Sequence, residues 1–371
     1  MIELGVATEG DATTMTLAVD GDPHQICWAG GVSDAGAADA ALVTALLPAM
    51  AARSPVSGPP VSPGLLRNLD TVQDVFIAWS RRKALVRNET ERYARVEVAV
   101  PARVSQPTID DGERGVAVLF SGGVDSFYTV LRRRHEIDAL VFVHGLDVRL
   151  DDPLRESVVD GVRSAAAELG LVLVEVATDV RQTTDRFVPW EDSHGAALAA
   201  VAHLLSDRFH TALVPATSTY DALYPLGSHP LVDPLWGSER VRLVHDGCEA
   251  DRVQKTQRIA ASPVARRWLR VCPRYGGEPY NCGQCEKCLR TMVGARLAGV
   301  PDAFATLPPM RGAQRLRELS RVRIKGRGTT WDRYRLLARR TTRDRALQAA
   351  LDVAWARYRF RERRVRHPRP R

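Results

Sequence analysis

At 371 residues, with 45% apolar and 26% charged side chains, the chain is long enough for two domains and can bury a substantial core. The first residues hold neither a basic stretch nor an apolar segment of the kind an export signal needs, and no run of about 18 apolar residues occurs; this argues against secretion and membrane spanning and leads us to expect a cytoplasmic protein. The formal charge of +8 hides an asymmetry, because residues 311–371 carry 21 Lys and Arg against 5 Asp and Glu, a balance of +16 that leaves −8 for residues 1–310.

Residues 1–112 read as a small α+β domain whose role the sequence does not reveal. Short alternating runs at 2–7, 13–19 and 24–28, separated by Gly and Asp, predict strands and hairpins. Residues 35–52 are Ala- and Leu-rich and helical in character, 54–64 form a Pro/Ser/Gly loop, 65–87 a second helix and 96–101 a strand. Position 2 is Ile, so no cysteine stands there to become an N-terminal glutaminase nucleophile.

The pattern changes from residue 113. Residues 116–120 are a continuous apolar run, as expected of a strand buried on both faces of a parallel sheet. Further strands are expected at 139–143, 171–177, 212–215 and 241–245, with helices at 127–134, 152–170, 191–208 and 251–261. This alternation predicts an α/β fold over 113–310, a doubly wound parallel five-stranded sheet. Residues 311–371 form an Arg-rich tail with helices at 331–340 and 343–361. Leu347, Leu351, Val353, Trp355 and Tyr358 interrupt its charge, so part of the tail should pack on the body. No aromatic platform accompanies the charge, which favours docking on the chain's own acidic body; RNA or another polyanion is the alternative partner. Self-association stays open.

The string Ser121, Gly122, Gly123, Val124, Asp125, Ser126 sits where the first parallel strand feeds a helix. Two glycines let the backbone curl close to a ligand. The helix start behind them offers unpaired N–H groups and partial positive charge, which suit phosphate, and Ser121 and Ser126 add hydroxyls. Asp125 cannot itself attract phosphate, so it works through Mg2+ or through the amides of the loop. The string resembles the signature of the PP-loop ATP pyrophosphatases, the adenine-nucleotide α-hydrolase-like (HUP-type) superfamily; the Lys-Ser/Thr pair of a Walker loop is missing. The resemblance implies cleavage of ATP between its α- and β-phosphates and adenylation of a substrate oxygen.

Six cysteines occur, and Cys272, Cys282, Cys285 and Cys288 crowd into seventeen residues. Four thiolates are what a tetrahedral structural zinc requires; a redox pair and an iron–sulfur cluster are the alternatives. Cys27 and Cys248 are expected to be buried thiols. A four-Cys knuckle beyond a PP-loop is similar to 7-cyano-7-deazaguanine synthase and its relatives, a resemblance covering about residues 115–300. It implies a C–N bond-forming ligase that uses ATP, Mg2+ and Zn2+ to activate a small carboxylate for attack by ammonia or an amine. Lys255 matches the lysine that group places near the phosphates, making Lys255, Asp125 and Ser126 the candidate catalytic residues. His144 and Asp147 end the second strand, where such folds meet the adenosine, and either can instead cap the loop. In place of the group's substrate string this chain has its own polar, Pro-rich loop at 217–236, from which Asp221, Tyr224, His229 and Asp233 are candidate substrate contacts. That difference leads us to expect another acid as substrate. The other readings of the chain are a tRNA-thiolating enzyme and a non-catalytic nucleotide-binding module.

Overall fold

A computed structural model describes residues 1–87, 89–104, 111–273, 280–310, 312–324 and 328–366. Arg311 and residues 367–371, at the two ends of the basic tail, lie outside the described residues.

All five strands expected in the central region form. They are β6 (Gly115–Leu119), β7 (Ala139–His144), β8 (Val172–Thr178), β9 (Phe209–Pro215) and β10 (Arg242–Asp246), numbered after the five that precede them in the chain. They lie mutually parallel in the order β8-β7-β6-β9-β10. The chain thus winds one way from β6 to β8 and the other way through β9 and β10. The crevice at that reversal, beyond the carboxyl ends of β6 and β9, is where open α/β sheets receive ligands.

The sheet is wider than the sequence suggests. The N-terminal strands β1 (Ile2–Glu9), β2 (Ala12–Val19) and β3 (Asp22–Ala29) form an antiparallel meander. Trp28 and Ala29 of β3 pair antiparallel with Thr178 and Ala177 of β8. The sheet therefore continues through β3, β2 and β1 to the two-residue strands β4 (Val56–Ser57) and β5 (Val98–Ala99), ten strands in all and mostly parallel. The expected five-stranded sheet is half of a larger one. A pairing made by two residue pairs across about 150 positions leaves no local mark.

Both faces are covered. Side chains alternate along each strand, so Leu119, Val141, Val174 and Val214 enter one core while Val118, Phe120, Leu140 and Leu213 enter the other. On the first face lie α1 (Ala37–Ala52) and α6 (Trp190–Leu204), packed on each other. Helix α1 is apolar nearly all round and buried from Ala40 to Met50, as a helix inside a core should be. The Ala-rich face of α6 brings the two axes close. α2 (Pro63–Arg87) reaches the same core through Leu65, Leu69, Val72 and Phe76.

The opposite face carries α3 (Val124–Arg132) and α4 (Arg155–Leu169), then, past the short α5 (Val180–Thr184), α7 (Arg252–Ala260), α8 (Pro263–Trp268) and α9 (Glu286–Leu297). The tail folds as α10 (Gly312–Arg321), α11 (Thr329–Thr341) and α12 (Arg345–Arg366). Trp331, Tyr334, Leu347, Leu351 and Tyr358 are buried in that core, and Arg296 pairs with Asp344. Val353 was expected among them but is 47% exposed. Among the described residues no helix is long and apolar enough to cross a membrane.

Candidate functional site

The strand β6 delivers Phe120 and Ser121 to the crevice, and Gly122 turns the chain at φ 72°, a left-handed conformation that glycine adopts without strain. Gly123 caps α3, whose first turn contains Val124, Asp125 and Ser126. The turn is braced from outside by the Arg270 amide, which donates to the Gly122 carbonyl at 2.9 Å. A cavity of about 370 Å3 opens over the loop. Ser121, Gly123, Val124, Asp125 and Ser126 line it, and Asp147, Tyr224 and His229 lie on other walls.

The electrostatics of this end are cationic. Asp125 accepts from Arg252 Nη2 at 2.9 Å and from Lys255 Nζ at 3.2 Å. Burial alone would raise the Asp125 carboxyl, but the charges of Arg252 and Lys255 hold it below the usual carboxylate range. Lys255 is 1% exposed and also donates to the Ala216 carbonyl at 2.5 Å. It thus stands behind Asp125 and is absent from the lining of the cavity. Among the described residues, the Lys and Arg side chains that do reach the cavity are Arg252, Arg270, Lys287 and Arg290. Arg270 Nε is buried without a hydrogen-bond partner. The sequence drew attention to Lys255 and not to these four, which α7, α9 and the segment after α8 bring to the loop from more than 120 positions away. The string Cys285–Arg290 held the one available signal, a lysine between two zinc-spaced cysteines and an arginine two residues past the last.

Ser126 turns its hydroxyl back to the Gly123 carbonyl, 3.1 Å away, and so closes the first turn of α3. His144 is not brought to the cavity. Its ring lies between Glu175 (Nε2 to Oε2, 3.0 Å) and Arg155 (3.2 Å to Nδ1), edge-on to Phe142. Burial holds its pKa below the ordinary histidine value. Asp147, three residues on, is the member of that pair that lines the cavity.

The 217–236 loop sits on the first half of α6. A Cβ on Gly195 would lie 2.0 Å from the Gly227 carbonyl oxygen, so the close seat of loop on helix depends on that glycine. Asp233, 1% exposed, is a support instead of a contact surface. It accepts from Ser228 Oγ at 2.7 Å, the His229 amide at 3.1 Å and His245 Nδ1 at 2.7 Å. His245 lines the cavity and went unnoticed in the sequence. Burial would lower its pKa, but the hydrogen bond and charge of Asp233 push it up to about 9, so it is an imidazolium at neutral pH. His194, also in the wall, takes the Ser228 amide on Nε2 at 3.2 Å and is held neutral by burial. Tyr224 borders this cavity, whereas Asp221 borders a second one of about 640 Å3. The second cavity lies between the 217–222 segment and α11. There Asp221 pairs with Arg333, which also donates to Thr219 Oγ1 at 3.1 Å.

The four clustered cysteines do come together. The sulfurs of Cys272, Cys282, Cys285 and Cys288 lie within 4.8 Å of one another, with Cys272 to Cys285 at 3.8 Å and Cys282 to Cys288 at 3.9 Å. Zinc–sulfur bonds of about 2.3 Å put tetrahedral sulfurs about 3.8 Å apart, so the cluster can hold a metal ion such as zinc. Asn281 fixes the first ligand, accepting from the Val271 and Cys272 amides at 2.9 and 3.1 Å. The amides of Cys285 and Cys288 point at the sulfurs of Cys282 and Cys285. Without a cation, the hydrogen bond to Cys272 pushes the Cys285 thiol up to about 11 and raises that of Cys288, so a metal charge would favour ionisation of these two. Of the two outlying cysteines, Cys248 is buried as expected. Cys27 is exposed, because in β3 Ile26 and Trp28 take the inward positions.

No protein-family model matches the chain, and no curated protein shows significant similarity to it.

Proposed function

We propose that the protein is an ATP-dependent adenylating synthase of the PP-loop type, related to the 7-cyano-7-deazaguanine synthase group. It would cleave ATP to AMP and pyrophosphate and so activate a small carboxylate for C–N bond formation. The observation that carries the reading is a glycine turn at the start of α3 facing four cations, one of which has a buried donor without a partner. The strand order around β6 supports it, since the loop lies at the reversal point.

In this reading Ser121 and the amides of 122–126 cradle the phosphates, as helix N-termini do. A carboxylate oxygen attacks the α-phosphorus and the bond to the bridging oxygen breaks. The departing pyrophosphate gathers charge against Arg252, Lys287 and Arg290, held in place before the reaction begins. Lys255 acts at one remove, keeping Asp125 ionised and Arg252 in position. Mg2+ would supply charge neutralisation to the phosphates, and Asp125 and Asp147, the carboxylates in the described lining, would be the residues to hold it. His245, backed by Asp233, presents a positive charge to an anionic substrate, with Tyr224 and His229 beside it. Zinc on the four cysteines would stabilise the fold without touching the reaction.

The test is incubation with ATP, a panel of small carboxylic acids and a nitrogen nucleophile (ammonia or an amine), followed by product analysis. AMP and pyrophosphate released with one acid, and lost in Arg252→Ala, support the proposal. ADP and phosphate, or no turnover with any acid, defeat it.

A further inference from the structure

Apart from one shared wall, the lining of the 640 Å3 cavity beside α11 is not used in the activation step. It shares Thr217, Ser218, Tyr224, Arg252 and Arg290 with the first cavity, so the two meet along one wall. Ammonia is about the size of water, whose share of liquid volume is about 30 Å3, and needs no chamber of this kind. Spaces of roughly 300–1,000 Å3 are the size that encloses whole small molecules.

The lining carries both charges and an apolar face. Asp221, paired with Arg333, and Glu249, which accepts from Tyr128 Oη and pairs with Arg132, keep 71% and 43% of their side chains exposed. Arg333 and Arg340 come from α11, and Arg340 has no ion pair among the described residues. Tyr220, 64% exposed, and Leu336, 44% exposed, give a surface for the body of a ligand. Carboxylates suit an ammonium group, guanidinium groups suit a carboxylate, and the aromatic face suits a side chain.

We infer that this cavity is the acceptor site and that the acceptor is a zwitterionic amine of amino-acid size, in place of ammonia. The inference rests on the adenylation reading and names its second substrate. The amine loses a proton to water, and its nitrogen attacks the acyl carbon of the adenylate. The C–N bond forms, the bond from carbon to the phosphate oxygen breaks with its electron pair going to AMP, and the remaining extra proton on nitrogen leaves to water. The basic tail then has a local role, because α11 forms one wall of the site.

The test is binding of the twenty common amino acids and of ammonium chloride to the full chain by ligand-observed NMR, beside binding of a fluorescent ATP analogue. At least one amino acid should bind, and Tyr220→Ala and Arg340→Glu, both at exposed positions, should weaken it tenfold or more. Affinity for the ATP analogue should change less than twofold. The acceptor assignment is overturned if no amino acid binds while the ATP analogue does, or if the bound amino acid ignores both variants. Ammonium chloride releasing AMP as fast as any saturating amino acid would overturn it too. If the ATP analogue itself fails to bind, the adenylation reading falls and takes the acceptor role with it.

Discussion

Two loops leave neighbouring parallel strands at the reversal point, and each presents an aspartate, yet the two carboxylates live differently. Asp125 is shared by Arg252 and Lys255, so its surroundings keep a positive excess. Asp233 serves one imidazole, one hydroxyl and one amide, and its charge is spent on holding His245. The anchors differ as well. The first loop is tied through Arg270 to the segment that supplies Cys272, whereas the second rests on α6 through Gly195 and Gly227. A carboxylate in a crevice is thus not one kind of group. Surplus cations leave the first end with a positive excess, and a closed hydrogen-bond set makes the second a rigid support.

The largest expected effect tests the difference in anchoring. Cys282→Ser should drop the bound zinc from one per chain to near none, and structural zinc binding is worth on the order of 10 kcal/mol. Melting temperature should fall steeply, and amide exchange at 121–125 should speed up while that at 228–233 holds. Equal loosening of both loops would show that they share one anchor. Next is Asp125→Ala, which leaves Lys255 buried against the Ala216 carbonyl and the Tyr128 ring, with no carboxylate partner among the described residues. Removing one member of a buried pair costs about 3–5 kcal/mol, to be read from urea unfolding. A loss below about 1 kcal/mol would mean that the excess of cations is relieved by solvent, as at a surface pair.

Legibility in the sequence follows the same divide. The 121–126 loop and the cysteine knuckle are built from neighbours in the chain, so spacing alone revealed them. Strands β6, β7 and β9 were equally readable, because burial on both faces writes continuous apolar runs. The β3–β8 pairing, the partners of Asp125 and the Asp233–His245 pair join residues 12 to about 150 positions apart. Nothing in a local window encodes them. His144 shows the converse: a polar residue at the right strand end, drawn away by Glu175 and Arg155. Asp221 was read as facing the activated acid, and α11, far along the chain, instead builds a separate chamber around it.

The third prediction sharpens the account of Asp233. The folded protein holds the His245 pKa near 9, above the ordinary value of 6.5, so the protonated form is bound more tightly than in the unfolded chain. That stabilisation is fully present below pH 6.5 and is lost as pH rises through 9. Both side chains are almost wholly buried, 5% and 1% exposed, so the contribution reaches up to about 3 kcal/mol at about 1.4 kcal/mol per unit. His245→Gln should flatten unfolding free energy across that window. Asp125→Ala removes no contact of the Asp233–His245 pair and should leave the window's slope in place. A slope that survives in His245→Gln would assign the pH dependence to another group.

The smallest effect compares two hydroxyls. Ser126 donates to a neutral carbonyl one turn away, at 3.1 Å, while Ser228 donates to the Asp233 carboxylate at 2.7 Å. A hydrogen bond to a neutral partner contributes about 0.5–1.5 kcal/mol, and one to a charged partner about 1.5–3 kcal/mol. Ser126→Ala should therefore cost less stability than Ser228→Ala in the absence of nucleotide. The ranking also has a consequence for binding, because the weaker bond is the one that can be exchanged. The Ser126 hydroxyl can leave the Gly123 carbonyl for a phosphate oxygen at little cost, whereas Ser228 is committed to its carboxylate. Adding an ATP analogue should then raise the melting temperature of Ser228→Ala as much as that of the unaltered chain, and that of Ser126→Ala by less. Equal gains in all three would mean that the Ser126 hydroxyl only closes its own helix turn, and that the amides and the surrounding cations hold the phosphates without it.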